Sequence, residues 1–129
     1  MFLGFPFRAG MRYYLFWRCT MRVELLYYPE CPSHERALER LQEALQAEGV
    51  DTPVEVIRID TQAEAEAHRF VGSPTIRING VEIDPQPQLP YRLTCRTFVH
   101  EDGRLSPLPS LTMLRRAIRQ AKEVSNDGT

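Results

Sequence analysis

The stretch from Met21 to Leu38, MRVELLYYPECPSHERAL, is the strongest constraint on what this chain can fold into. Val23, Leu25 and Tyr27 lie in a short, largely apolar run, the pattern of a strand buried on both faces. Pro29 ends that run. Pro32 suits the first position of a helix, where an N–H has no intrahelical partner to lose. The chain therefore passes from strand to helix within a few residues, with Cys31 at the joint. A second strand that follows such a helix returns parallel to the first, through a right-handed crossover.

The remaining pattern fits this start. Leu38, Leu41 and Leu45 recur at helical spacing, Ala37, Ala44 and Ala47 widen the stripe, and Glu35, Arg36, Glu39, Arg40 and Glu43 take the opposite face. Gly49 ends the helix. Val54, Val56, Ile57 and Ile59 predict a second strand. Thr61 and Glu64 fit a capping box for a short helix over 62–69. Pro74 precedes a third strand over 75–78, and Asn79-Gly80 predicts a tight hairpin into a fourth over 81–83. Leu111, Leu114, Ile118 and Ala121 mark a last helix from about Ser110, followed by a polar tail over 125–129. Residues 84–109 form an insertion. Pro85, Pro87 and Pro90 resist regular structure, 91–98 reads as an extra strand, and Asp102-Gly103 marks a turn. The expected architecture is α/β: one domain over 21–124, with a central four-stranded mixed sheet flanked by three helices and the insertion before the last helix.

The chain has 129 residues and a net charge of −1. That is the size of one domain, with no charge excess to attract nucleic acid. Residues 1–20 are aromatic but interrupted by Arg8, Arg12 and Arg18. They are too charged for a membrane span and lack the ordered regions of a signal peptide. They are read as an N-terminal arm outside the fold, with Met11 or Met21 as alternative starts. Three cysteines, at 19, 31 and 95, make no disulfide framework. They point to a reducing cytoplasm with one or two working thiols.

Cys31 carries the chemistry that can be read directly. A thiolate at a helix N-terminus gains from the helix dipole and from free backbone N–H groups, which lowers its pKa below the ~8.5 of a free thiol. The alternative is an inert, buried cysteine. His34 lies one turn further on and can share a face with Cys31. As an imidazolium it favours the thiolate, and as a neutral ring it can take the thiol proton; the alternative is a solvated surface histidine. In the thioredoxin-like topology that this order of elements resembles, the third strand starts beside Cys31 and the fourth runs back toward it, so the insertion leaves the sheet at that end and Cys95 can reach Cys31. The alternative for Cys95 is a small buried hydrophobe on a strand. Cys31, His34, Cys95 and His100 have only a roughly zinc-like spacing. No metal site and no cofactor is assigned, and Cys19 and His68 are given no role.

A strand, a cysteine at a helix start, a further β–α unit, Ser73-Pro74-Thr75 opening a hairpin and a final helix: this order resembles the thioredoxin superfamily from Met21 to about Glu123, apart from the insertion. Cys31-Pro32-Ser33-His34 is similar to the glutaredoxin form Cys-Pro-x-Cys, with His34 in place of the second cysteine. The resemblance implies a thioredoxin-like fold, with Cys31 as nucleophile and Pro74 as a cis-proline opposite it. Ser73, Pro74 and Thr75, with Pro32, would then form a groove whose backbone groups can pair with an extended peptide. It further implies a thiol–disulfide oxidoreductase acting on protein or small-molecule disulfides and thiols, in which Cys31 attacks, His34 tunes the thiol and Cys95 resolves. The chain departs from the pattern where glutaredoxins carry Gly-Cys-Asp; it has Glu82-Ile83-Asp84-Pro85, which puts glutathione in doubt as a partner. Two functions of other classes remain open: a thiol protein holding zinc, mercury or copper, and a non-catalytic interaction module. Neither a membrane nor a nucleic acid is an expected partner. Because every core stripe lies after Met21, deleting residues 1–20 is expected to leave the thermal midpoint within a few degrees of the full chain; a large drop in a calorimetric scan would show that the arm packs as an element of the fold.

Overall fold

The computed structural model describes residues 21–127. The arm over 1–20, with Cys19 and the alternative start Met11, lies outside the described residues, as do 128–129 of the expected tail. The order of elements is β1 (Val23–Tyr27), α1 (His34–Ala47), β2 (Val54–Arg58), α2 (Gln62–Ala67), β3 (Thr75–Ile78), β4 (Val81–Glu82), β5 (Phe98–Val99), β6 (Leu105–Ser106) and α3 (Leu111–Asp127). Four strands form one mixed sheet in the order β2-β1-β3-β4, and β5 and β6 form a separate antiparallel pair. β1 runs parallel to β2, with Leu25 opposite Val56, and antiparallel to β3, with Leu25 opposite Ile76.

Local chemistry explains most boundaries. Gly49, at φ +71°, ends α1 in the left-handed conformation. The Val50 N–H then donates to the Leu45 carbonyl (2.9 Å) and the Gly49 N–H to that of Gln46 (3.1 Å), which is the Schellman arrangement. Thr61 and Glu64 make the expected reciprocal capping box of α2. Asn79 and Gly80 both have positive φ, as a type I′ hairpin between β3 and β4 requires. Ser110 caps α3, its hydroxyl accepting from the Met113 N–H at 3.1 Å.

Some expectations are corrected. α1 begins at His34, not at Pro32, because residues 29–33 are spent in turns, with the Cys31 N–H donating to the Tyr28 carbonyl at 3.0 Å. Ala47 is exposed and does not widen the buried stripe. α2 stops at Ala67, and α3 continues to Asp127, past the expected domain end at 124. Residues 91–98 do not form an extra strand. They run irregularly alongside 70–73, and only Phe98–Val99 is a strand.

Side-chain alternation along β1 sends neighbouring residues to opposite faces of the sheet. Val23 and Leu25 meet Ala37, Leu41, Ala44 and Leu45 of α1 and Leu114 and Ile118 of α3. Leu26 faces the other way, toward Ile59, Ala65 and Phe70 around α2. The sheet is thus covered on both faces, and the end of β1 that leads to Cys31 is anchored from both sides. Among the described residues no helix is long and apolar enough to cross a membrane.

α1 and α3 are also joined by charge. Glu48, at the end of α1, accepts from Arg115 Nε at 2.8 Å and Arg119 Nε at 3.0 Å. Lys122 Nζ donates to the Glu48 backbone carbonyl at 2.8 Å. The guanidiniums of Arg115 and Arg119 hold the Glu48 carboxyl down at about 2, from an ordinary 4.5. A carboxylate with a depressed folded-state pKa contributes stability that is complete above its unfolded value and lost as the pH falls toward its folded value. The contribution of Glu48 is therefore expected to disappear between about pH 4.5 and pH 2. In denaturation measured across that window, Glu48→Gln is expected to lower stability at neutral pH and to flatten the acid slope; an unchanged slope would show that the cluster makes no contribution.

Candidate functional site

The site forms where three segments of the chain converge: the turn between β1 and α1, the turn before β3, and the insertion. Cys31 lies in the first of these, two residues before Ser33, the N-cap of α1. It is 2 % exposed. Its Sγ is 3.7 Å from Ser33 Oγ and 3.6 Å from the Ser73 carbonyl oxygen. The Ser33 hydroxyl can donate to a sulfur that carries negative charge, whereas the Ser73 carbonyl can only accept from a protonated thiol.

The second segment is Gly72-Ser73-Pro74-Thr75. The Ser73–Pro74 peptide is cis, as the motif implied. Ser73, Pro74 and Thr75 are buried, and the Thr75 hydroxyl donates to the Gly72 carbonyl at 2.6 Å. Pro32, by contrast, is exposed.

The insertion supplies the third. Cys95 is joined to Cys31 by a disulfide, with Cα atoms 5.7 Å apart, inside the range such a bridge requires. The backbone beside it is pinned. The Ser73 N–H donates to the Thr94 carbonyl at 2.8 Å, and the Arg96 N–H donates to the Ser73 carbonyl at 3.1 Å. Residues 94–96 thus pair in parallel with Ser73 and occupy its backbone N–H and C=O. Cys95 itself is exposed.

Arg96 holds this segment and escaped the sequence argument. Its side chain is 2 % exposed. Nη1 donates to Glu82 Oε1 at 3.0 Å and Nη2 to the Asp84 carbonyl at 2.6 Å, and the guanidinium lies 4.5 Å above the Phe98 ring. Burying a guanidinium is tolerable only with such partners. The signal that could have found it is the two-residue period with Phe98: Arg96 and Phe98 face inward while Cys95 and Thr97 face outward. Gly72 makes room for Arg96. At φ +152° it has a conformation that favours glycine, and a Cβ there would stand 2.7 Å from the Cβ of Arg96.

His34 sits beside the joint but addresses its backbone. Nδ1 donates to the Cys31 carbonyl at 3.1 Å, and the ring stacks on Tyr27 with centroids 4.2 Å apart. The remaining histidines lie elsewhere. His100 Nε2 donates to the Leu108 carbonyl at 2.7 Å, and His68 closes α2. Among the described residues no group of three or more His, Cys, Asp or Glu side chains is arranged to hold a metal ion. Comparisons with protein-family models, with curated proteins and with solved structures find no match.

Gly72→Ala tests how far the seam depends on the Gly72–Arg96 approach. It is expected to cost about 1–3 kcal/mol of stability, from the strained φ and the clash together. It is also expected to lower the fraction of disulfide at a fixed redox potential. Denaturant titration and thiol counting read the two effects, and an alanine variant with unchanged values in both would show that residues 94–96 shift freely.

Proposed function

We propose that this protein is a thiol–disulfide oxidoreductase of thioredoxin-like, glutaredoxin-related type, working in the cytoplasm on protein or small-molecule disulfides and thiols. The redox couple is Cys31 and Cys95, so that Cys95, supplied by the insertion, replaces the second cysteine missing from Cys31-Pro32-Ser33-His34. The observation that carries this reading is the disulfide between them, formed beside the cis Ser73–Pro74 turn. Two cysteines brought together from distant parts of a chain with an odd cysteine count are more readily explained as a working pair than as a structural framework. The sheet order β2-β1-β3-β4 with three helices is compatible with the same family layout.

In this reading Ser33 and His34 serve the thiolate state of Cys31. The Ser33 hydroxyl is placed to donate to the sulfur, and His34 steadies the turn through the Cys31 carbonyl and brings a titratable ring to its edge. Pro74 shapes the wall opposite, with Ser73 and Thr75 beside it.

Reduction of insulin or of hydroxyethyl disulfide, coupled to a thiol donor, tests the proposal. The full chain is expected to accelerate exchange, and Cys31→Ser and Cys95→Ser are each expected to return the rate to the uncatalysed background. If both variants keep the rate of the parent chain, or the parent itself gives only background, the protein is not an oxidoreductase of this kind.

A further inference from the structure

We infer that the oxidised couple is opened at Cys95 by a low-molecular-weight thiol, with Cys31 as the leaving sulfur; this rests on the oxidoreductase reading and reverses the order implied by the Cys-Pro-Ser-His motif.

Attack on a disulfide comes from behind the struck sulfur, along the S–S axis, and the rate depends on access to that sulfur and on how well the other one leaves. Access favours Cys95. Cys31 is 2 % exposed, with the Ser73 carbonyl and the start of α1 around its sulfur, whereas Cys95 is exposed on the surface of the insertion. The leaving step favours the same direction. Negative charge released on Cys31 Sγ appears 3.7 Å from the Ser33 hydroxyl, just ahead of the N-terminus of α1.

The size of the thiol follows from the seam. A protein substrate that docks as an added strand needs free backbone donors and acceptors. The N–H and C=O of Ser73 are already taken by Thr94 and Arg96. While that pairing holds, the exposed Cys95 is open to a small thiol that needs no strand docking.

The exchange balances as follows. A thiolate RS⁻ bonds to Cys95 Sγ, the Cys31–Cys95 bond breaks, and its electron pair stays on Cys31 as thiolate. A second RS⁻ then bonds to the external sulfur of the mixed disulfide and releases RSSR and the Cys95 thiolate. Two thiols are oxidised to one disulfide, the protein disulfide is reduced, and the two thiol protons end on Cys31 and Cys95. The reverse reaction retraces this path, so a small disulfide is met first by Cys95 and the mixed disulfide is resolved by Cys31.

Peptide mapping of the full chain decides the order. Cys19 is first blocked with iodoacetamide in the oxidised protein. The protein is then mixed with 2-mercaptoethanol, quenched in acid at short times, and its free thiols are labelled with N-ethylmaleimide. The expected result is mercaptoethanol on Cys95 with the maleimide on Cys31, in at least tenfold excess over the opposite pattern. Equal partition, an excess on Cys31, or an oxidised chain with no Cys31–Cys95 bond would overturn the inference. The mapping is stoichiometric and needs no turnover: a chain that fails the reductase assay but maps to Cys95 loses the proposed function alone, and one that turns over but maps to Cys31 loses the order of attack alone.

Discussion

Bringing Cys95 to the start of α1 means closing a loop of 64 residues in sequence, and the sulfurs alone do not fix where the returning segment lies. Arg96 does. Its guanidinium takes an inward position normally given to an apolar side chain and is held between Glu82, Asp84 and the Phe98 ring. Neighbouring residues of an extended segment point to opposite sides, so turning Arg96 inward turns Cys95 outward. Gly72 lets the two backbones approach closely enough for Ser73 to pair with Thr94 and Arg96. The disulfide, the exposed Cys95 and the paired Ser73 all adjoin this one buried cation.

The charge is not fully satisfied. Nε of Arg96 and Oγ of Ser73, both buried, have no hydrogen-bond partner among the described residues. An apolar side chain of similar volume can be at least as stable as a buried ion pair, because desolvation offsets much of the Coulomb gain. What an apolar residue does not supply is direction. The guanidinium bonds to Glu82 at the end of β4 and to Asp84 at the start of the insertion, and so ties the returning segment to the sheet in one register.

What was legible in the sequence was local. The Thr61–Glu64 box, the Asn79-Gly80 hairpin, Gly49 as a helix stop and the Leu111 to Ile118 stripe each depend on residues a few positions apart, and each is found where the pattern put it. The parallel β1–β2 pair followed from the intervening helix. The start of α1 was misjudged because a proline permitted at a first helical position does not compel one, and the Tyr28–Cys31 turn competes for the same backbone. Residues 91–98 looked like a strand by composition, but their partner is the 70–73 loop, whose Gly72 φ departs from a strand, so that only an isolated bridge forms. Arg96 was missed for a related reason: its partners Glu82 and Asp84 lie across a non-local contact, and, despite the two-residue period with Phe98, an arginine in a strand-like run reads as the wet face. Cys31, Pro74 and Cys95 could be singled out as a group, yet the exposure of one cysteine and burial of the other belong to the packing alone.

The two kinds of tie at this site differ in what they require. In the chain-entropy account, a disulfide closing a loop of this size restricts the unfolded chain by about 4 kcal/mol, a stabilisation present only while the bond is oxidised. The Ser73 pairing and the Arg96 ion pairs involve no sulfur and do not depend on that bond. A segment held by both can lose the first and keep the second, so that the two thiols stay neighbours at high effective concentration and re-formation of the bond is an intramolecular step. Stability and redox state are then linked but not locked together. The hydrophobic cover of β1 on both faces keeps the sheet intact, the buried guanidinium keeps the cysteines adjacent, and the disulfide adds a constraint that a thiol in solution can remove.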